Sequence, residues 1–290
     1  MNGALLILQK QLPENTIEIL RSVKTVADRL GIPSFIVGAT ARDIILEYVY
    51  KARPGRATSD VDFGIAVETW DKFETFKKAL IERENFRADN KMEQRLRRGT
   101  PPEEMKIDLI PYGRLESPPG RIMFPPTGFE LNTNGFREAF DAALTIEIAD
   151  DLQMKVVSLA GLAVLKFIAY DDRPHERRTD LEDVLFVARS YLDAANEERL
   201  YADDELMHEE DFDLRTVGAR LLGRDMAELL TEQTEKVILT HLSEESGDAD
   251  DRGLARTAEI MMAHSSSLDE NVDLTVRMLR QLRQGITAGR

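Results

Sequence analysis

The strongest structural signal in this sequence is Ser59-Asp60-Val61-Asp62-Phe63-Gly64-Ile65. Successive side chains of a β-strand point to opposite faces, so the alternation predicts a strand with Asp60 and Asp62 on one face. The other face carries Val61 and Phe63 and is expected to be buried. Asp-x-Asp alone is common at solvated strand ends, but here the pair lies within an apolar strand, which makes a purely solvating role less favoured.

A second strand supplies a third carboxylate. Met105–Pro111 alternates in the same way and places Asp108 on the polar face. Met92–Arg98 precedes it, and the turn-forming residues Gly99-Thr100-Pro101-Pro102 between the two segments predict a hairpin. If the strands that carry aspartate are neighbours, three carboxylates converge on one face of the sheet.

Three converging carboxylates cannot all stay ionised unless cations neutralise them. Hard divalent ions prefer oxygen ligands, so the pattern predicts Asp60, Asp62 and Asp108 as catalytic residues and as ligands of Mg²⁺ or Mn²⁺. Two such ions can clamp the attacking and leaving oxygens of an in-line phosphoryl displacement.

A turn that suits phosphate binding precedes this strand. Ser34–Val37 predicts a short strand, Gly38-Ala39-Thr40 a tight turn, and the residues from Arg42 to Tyr50 a helix. Free N–H groups and the positive end of the helix dipole would then point into the turn. Arg42 lies in the first turn of this helix, and two alternatives stay open for it: contact with a triphosphate, or an ion pair with Asp43.

Lys166 is the only charged residue between Val156 and Tyr170, in a predicted helix that is apolar almost all round. A buried lysine requires a partner for its charge, such as a triphosphate or a carboxylate, although it could instead extend to the helix rim. The next helix is predicted to open with a capping box, Thr179-Asp-Leu-Glu182. Two alternatives stay open for Asp180 in this helix. Its charge either stabilises the positive N-terminal end of the helix or, like that of Asp183, contributes to the predicted nucleotide site.

A cluster of basic residues borders the predicted carboxylate site. Such a run is usually a solvated face, but at this place it could also bind a polyanionic acceptor. The cluster comprises Arg83, Arg87, Lys91, Arg95, Arg97 and Arg98.

Composition limits the classes of protein. The chain has 290 residues, 42% hydrophobic content and no cysteine, which excludes disulfides and a cysteine nucleophile. The formal net charge of −15 disfavours broad, non-specific nucleic-acid binding. No apolar run reaches the roughly 20 residues of a membrane helix, and the N-terminus lacks a signal-peptide pattern, so we expect no membrane partner and a cytoplasmic location.

The organisation changes along the chain. Strand and turn patterns dominate up to about residue 157, and helical patterns follow, interrupted by an acidic stretch from Glu197 to Asp213. We therefore predict an α+β fold with two domains: residues 1–157 form a mixed sheet flanked by helices, and residues 158–290 form a helical domain that completes the nucleotide cleft.

Taken together, these motifs resemble the DNA polymerase β-like nucleotidyltransferase superfamily. The matching segments are Phe35–Asp43, Ser59–Phe63 and Lys106–Leu109. Leu162–Ala169, with the later Arg173, Arg178, Asp180 and Asp183, is similar to the AbiEii-like abortive-infection toxins of type IV. The resemblance covers about residues 15–195. One departure is Ala39, where the family usually has glycine or serine, so that Thr40 or Ser59 would have to supply the hydroxyl contact.

The resemblance implies a nucleotidyltransferase that binds an NTP with Mg²⁺ or Mn²⁺ and transfers a nucleoside monophosphate to an acceptor. In the toxin-like interpretation the acceptor is tRNA and an antitoxin protein restrains the enzyme. The alternatives are a catalytically weak nucleotide-binding regulatory protein, or nucleotidylation of a protein or small molecule. The predicted nucleotide-binding residues are Gly38, Ala39, Thr40, Arg42, Ser59, Lys166, Asp180 and Asp183.

Overall fold

The computed structural model describes residues 5–52, 58, 60–194, 196–201, 213–243, 253–263 and 271–289. Two compact units divide the chain, Met1–Ser158 and Leu159–Arg290. The helices in the described ranges include none with the length and apolar character needed to span a bilayer.

A mixed sheet forms the centre of the first unit. The strands of the described residues are β1 (Leu6–Ile7), β2 (Ser34–Val37), β3 (Asp60–Ala66), β4 (Arg87–Ala88), β5 (Arg95–Arg98), β6 (Met105–Tyr112), β7 (Arg121–Met123), β8 (Glu130–Asn132), β9 (Leu144–Ala149) and β10 (Leu152–Val156). Eight of them form the mixed sheet, in the order β1-β9-β10-β2-β3-β6-β5-β4, and β7 and β8 form a separate ribbon.

The central strands follow the predicted alternation. β3 runs antiparallel to β2 and parallel to β6, and β6 forms a hairpin with β5. Val61 and Phe63 of β3 and Ile107 and Leu109 of β6 are almost completely buried. Because their neighbours along each strand point the other way, the polar residues of both strands share the opposite face.

Helices flank the sheet. They are α1 (Glu14–Leu30), α2 (Gly38–Asp43), α3 (Trp70–Arg83) and α4 (Phe136–Asp141). α1 ends at Leu30, and Gly31 caps it with left-handed backbone angles (φ 63°, ψ 31°). Thr69 caps α3 by accepting a hydrogen bond from the backbone N–H of Lys72.

The helix after β2 begins earlier than predicted. α2 starts at Gly38, directly after the strand, and continues as a π-helix over Ile44–Val49. The prediction that the helix starts at Arg42 was wrong because Gly38, with a positive φ of 69°, turns the chain from strand to helix without an intervening loop.

The second unit is helical in its described residues. Its helices are α5 (Leu159–Asp172), α6 (Arg178–Arg189), α7 (Glu197–Tyr201), α8 (Leu214–Ala227), α9 (Glu232–His241), α10 (Leu254–Met262) and α11 (Val272–Ala288). The apolar helix α5 is buried along most of its length. The predicted capping box at Thr179 does not form, since α6 already begins at Arg178 and Thr179 lies inside its first turn.

Candidate active site

Three carboxylates lie together on the polar face of the central sheet. Asp62 and Asp108 are direct partners in the parallel β3–β6 pairing, and Asp60 lies two residues before Asp62 on β3. One carboxylate oxygen from each residue lies within 4.8 Å of the others. Asp60, Asp62 and Asp108 are called the acidic triad below.

The acidic triad suits a hard divalent cation. Each member offers an oxygen atom, which is the ligand type that Mg²⁺ and Mn²⁺ prefer. The side chain of Asp60 is 35% exposed and that of Asp108 is 15% exposed. The cluster is therefore accessible from solvent while resting on a buried apolar strand face.

An arginine already binds the acidic triad. Arg95 of β5 lies opposite Asp108 in the hairpin register. Its Nε donates to Oδ1 of Asp108 at 2.7 Å and its Nη2 donates to Oδ2 at 2.6 Å, so both carboxylate oxygens accept. Nη2 also lies 3.6 Å from Oδ2 of Asp60. The hydrogen bonds that Arg95 donates to Asp108 outweigh burial and raise the pKa of the Arg95 guanidinium above its ordinary value.

The turn at Gly38 lies against Asp62. Val37, the residue before the turn, pairs with Asp62 in the β2–β3 register. A Cβ atom placed on Gly38 would collide with the Asp62 carboxylate. Glycine is needed here for two reasons, because the backbone has positive φ and because it approaches the acidic side chain closely.

Two hydroxyl groups hold the start of β3. Thr40 of α2 is buried, and its Oγ1 donates to the backbone carbonyl of Asp60 at 2.9 Å. Thr58 Oγ1 donates to Asp60 Oδ1 at 2.7 Å. Ser59, which we predicted to contact phosphate, lies outside the described residues. The Thr40 hydroxyl therefore connects α2 to the strand that carries two members of the acidic triad.

Arg42 forms the second of its two predicted partnerships. Its side chain is only 2% exposed. Nε donates to Oδ1 of Asp43 at 2.8 Å, and Nη2 lies 2.7 Å from the same oxygen. Contact with a triphosphate stays a prediction for this residue.

Lys166 forms ion pairs within the helical unit. Its Nζ lies 2.6 Å from Oδ1 of Asp180 and 2.8 Å from Oδ2 of Asp183, both on α6. Burial lowers the pKa of Lys166, but the charges of the two carboxylates outweigh this effect and raise it overall. The buried lysine thus has the carboxylate partners that its environment requires. A role for these three residues in nucleotide binding stays a prediction.

Most of the basic cluster is engaged by neighbouring carboxylates. Arg97 binds Asp89 and Glu104, and Arg87 binds Glu104 as well. Arg98 donates to Ser22 Oγ at 3.1 Å and lies 3.4 Å from a carboxylate oxygen of Glu18. These contacts reduce the positive charge that the basic cluster can offer to a polyanionic acceptor.

A family model for the nucleotidyl transferase AbiEii toxin of type IV toxin–antitoxin systems matches residues 35–258. The chain belongs to this family. This AbiEii-family protein is accordingly a nucleotidyltransferase, and both strands that bear the acidic triad lie inside the matched segment. A search among curated protein sequences finds no match.

Several solved structures show a distant similarity to this AbiEii-family protein. An antigenic nucleotidyltransferase-like protein from Paracoccidioides brasiliensis is 16% identical with a TM-score of 0.40, covering 68% of this chain and 93% of that one. A candidate nucleotidyltransferase from H. pylori is 15% identical with a TM-score of 0.39, covering 96% and 97%. A Thermotoga maritima CCA-adding enzyme complexed with tRNA is 10% identical with a TM-score of 0.30, covering 97% and 83%.

Two residues that contact the acidic triad were not assigned to the candidate site from the sequence. Thr58 had no signal beyond its position in a polar loop. Arg95 was recognised only as a member of the basic cluster, although the predicted hairpin brings its strand beside that of Asp108. The exact cross-strand register, which selects Arg95 rather than Arg97, is the information that the sequence pattern lacked.

Proposed function

We propose that this protein transfers a nucleoside monophosphate from an NTP to a tRNA, using Mg²⁺ or Mn²⁺ held by the acidic triad. The observation that carries the proposal is the convergence of three carboxylates from two paired strands, with ligand oxygens within 4.8 Å. Such a concentration of negative charge on a solvent-accessible face favours the binding of divalent cations.

In the proposed reaction, an acceptor hydroxyl oxygen forms a bond to the α-phosphorus of the NTP. The bond between the α-phosphorus and the bridging oxygen of the β-phosphate breaks, pyrophosphate leaves, and the hydroxyl proton passes to solvent. Bound divalent ions supply neutralisation of the phosphate charge during this displacement.

The chain positions the groups around the acidic triad. The backbone turn at Gly38, Ala39 and Thr40 adjoins Asp62, and the N-terminus of α2 begins there. Backbone N–H groups at such a turn suit the phosphates of an NTP. Thr40 stabilises the position of β3 beside this turn, because its hydroxyl donates a hydrogen bond to the backbone carbonyl of Asp60.

The tRNA acceptor and an antitoxin partner are proposed from the family, whose members are toxins of type IV systems. The net charge of −15 supports a cationic partner surface more than broad binding of RNA. A tRNA would then be recognised by its shape at the site rather than by a long basic track.

The experiment supplies each NTP, labelled at the α-phosphate, with Mg²⁺ to the protein in the presence of purified tRNA, total RNA or cell protein. We expect label in tRNA, dependent on the divalent ion, and none with Asp62→Asn. Label in protein alone would overturn the tRNA assignment. NTP-dependent thermal stabilisation that Asp60→Ala abolishes, with no transfer to any acceptor, would favour a regulatory nucleotide-binding protein.

A further inference from the structure

We infer that Arg95 is a built-in counter-ion of the acidic triad, which must release Asp108 before a divalent ion binds there. Arg95 would thereby weaken metal binding in the free protein and act as a brake on the site. The inference rests on the proposed function of the acidic triad as a metal site.

The contacts of Arg95 occupy the positions that an ion would need. Both oxygens of Asp108 accept hydrogen bonds from its guanidinium, at 2.7 and 2.6 Å. The same Nη2 atom lies 3.6 Å from Asp60 Oδ2. One nitrogen of the guanidinium therefore lies near carboxylates from both β3 and β6, and these are the residues that would hold a divalent ion.

A divalent ion at the acidic triad and this guanidinium compete for the oxygen atoms of Asp108. Mg²⁺ takes its oxygen ligands at about 2.0–2.1 Å, which is too close for a nitrogen to remain hydrogen-bonded to the same oxygen atoms in the same direction. Two cations a few ångströms apart also repel strongly in a partly buried site. Arginine keeps its charge at every physiological pH, so only a movement of its side chain can free Asp108.

Another arginine of β5 provides a matched control for the substitution of Arg95. Arg97 lies two residues further along β5, on the same face, and also binds two carboxylates. Its partners Asp89 and Glu104 do not belong to the acidic triad. Substitution of Arg97 thus removes the same side chain and the same number of carboxylate partners without touching Asp108.

The experiment measures Mn²⁺ binding by the loss of the free-ion electron paramagnetic resonance signal, together with the thermal unfolding midpoint. The variants are Arg95→Gln, Arg97→Gln, Asp62→Asn and the double variant of Arg95→Gln with Asp62→Asn. We expect Arg95→Gln to bind Mn²⁺ at least about tenfold more tightly than the wild type, because the substitution removes a positive charge beside the ion. Arg97→Gln should keep the wild-type affinity, and both proteins with Asp62→Asn should lose the site.

The unfolding midpoint gives an independent readout. Without metal, Arg95→Gln removes the cation that binds Asp108 and should unfold at a lower temperature than the wild type. With Mn²⁺ its midpoint should rise by more than that of the wild type. If Arg95→Gln does not fold, Arg95→Lys replaces it, because lysine keeps the charge but cannot bind both oxygens in the same way. Its affinity should then exceed that of the wild type.

The outcomes separate the two proposals. The brake would be overturned if the folded Arg95 variant bound Mn²⁺ with the wild-type affinity or more weakly. If Asp62→Asn still abolished binding in that case, the metal site itself would stand. Mn²⁺ binding that Asp62→Asn does not affect, or no binding in any protein, would overturn the metal site and the brake together.

Discussion

The turn at Gly38 lies so close to Asp62 that any side chain at position 38 would collide with its carboxylate. Gly38 also has a φ of 69°, in the left-handed region that disfavours other residues. One glycine therefore determines both the direction in which α2 leaves β2 and the position of a carboxylate in the acidic triad.

This relationship predicts a large effect of Gly38→Ala. Backbone strain of about 1–2 kcal/mol and a steric overlap of about 1–3 kcal/mol should both lower the free energy of unfolding. Displacement of Asp62 should reduce nucleotidyl transfer about 100-fold. Chemical denaturation and a transfer assay measure the two effects.

Gly31→Ala is the matched control. Gly31 has nearly the same φ, 63°, but an added methyl group meets nothing within 4 Å among the described residues. We expect only the strain of about 1–2 kcal/mol and no change in transfer. Equal effects of the two substitutions on transfer would contradict a special role for the contact between Gly38 and Asp62.

Neutralising one member of the acidic triad should separate activity from stability. Asp60→Asn preserves the shape of a partly exposed side chain and removes one of three like charges. We expect transfer to fall at least about 100-fold, because electrostatic stabilisation is lost at the reacting phosphate. The free energy of unfolding should stay within about 0.5 kcal/mol of wild type or rise. A stable variant with full activity would remove Asp60 from the proposed mechanism.

Lys166→Met tests the ion-pair cluster of the helical unit. The substitution removes the cation that contacts both buried carboxylates, Asp180 and Asp183, which should lower the free energy of unfolding by about 3–5 kcal/mol. Lys77→Met is the control, since Lys77 is equally covered but its partner Glu74 is exposed, and it should change stability by less than about 1 kcal/mol.

The raised pKa of Lys166 gives this prediction a pH dependence. A lysine whose pKa is higher in the folded state contributes its full stability below the ordinary value of 10.5 and loses it as the pH rises through the folded-state value. The stability difference between wild type and Lys166→Met should therefore persist at neutral pH and shrink in strongly alkaline solution. A difference that vanishes already near neutral pH would contradict the ion-pair account.

Two glycines allow α8 and α11 to pack closely. A Cβ on Gly223 would overlap the backbone carbonyl of Leu282, and one on Gly285 would overlap that of Arg220. We expect Gly223→Ala to lower the free energy of unfolding by about 2–3 kcal/mol. Gly218→Ala on the same helix should change it by less than about 1 kcal/mol, because its nearest neighbour is the flexible side chain of Leu192 and alanine favours the helix.

The sequence predicted the elements whose patterns are local. The alternation in β3 and β6 indicated which residues of each strand share a face. The pairing of the two strands that carry the aspartates could only be assumed from the sequence, because parallel pairing depends on contacts between residues distant in the chain.

The predictions from the sequence differed from the structure where contacts between distant residues determine a side chain's partner or a helix boundary. Arg95 was grouped with solvated basic residues, yet the register of the hairpin directs it to Asp108. Thr179 had the pattern of a helix cap, but α6 extends one residue beyond it toward the N-terminus. Lys166 required a carboxylate or phosphate partner on physical grounds, and only the packing of α5 against α6 reveals which carboxylates it has.

The most direct test of nucleotidyl transfer at the acidic triad compares NTP labelled at the α-phosphate with NTP labelled at the γ-phosphate. The wild-type protein should attach only the α-label to its acceptor and release the γ-label as pyrophosphate, and Asp62→Asn should do neither. Attachment of the γ-label, or undiminished transfer of the α-label by Asp62→Asn, would contradict the account.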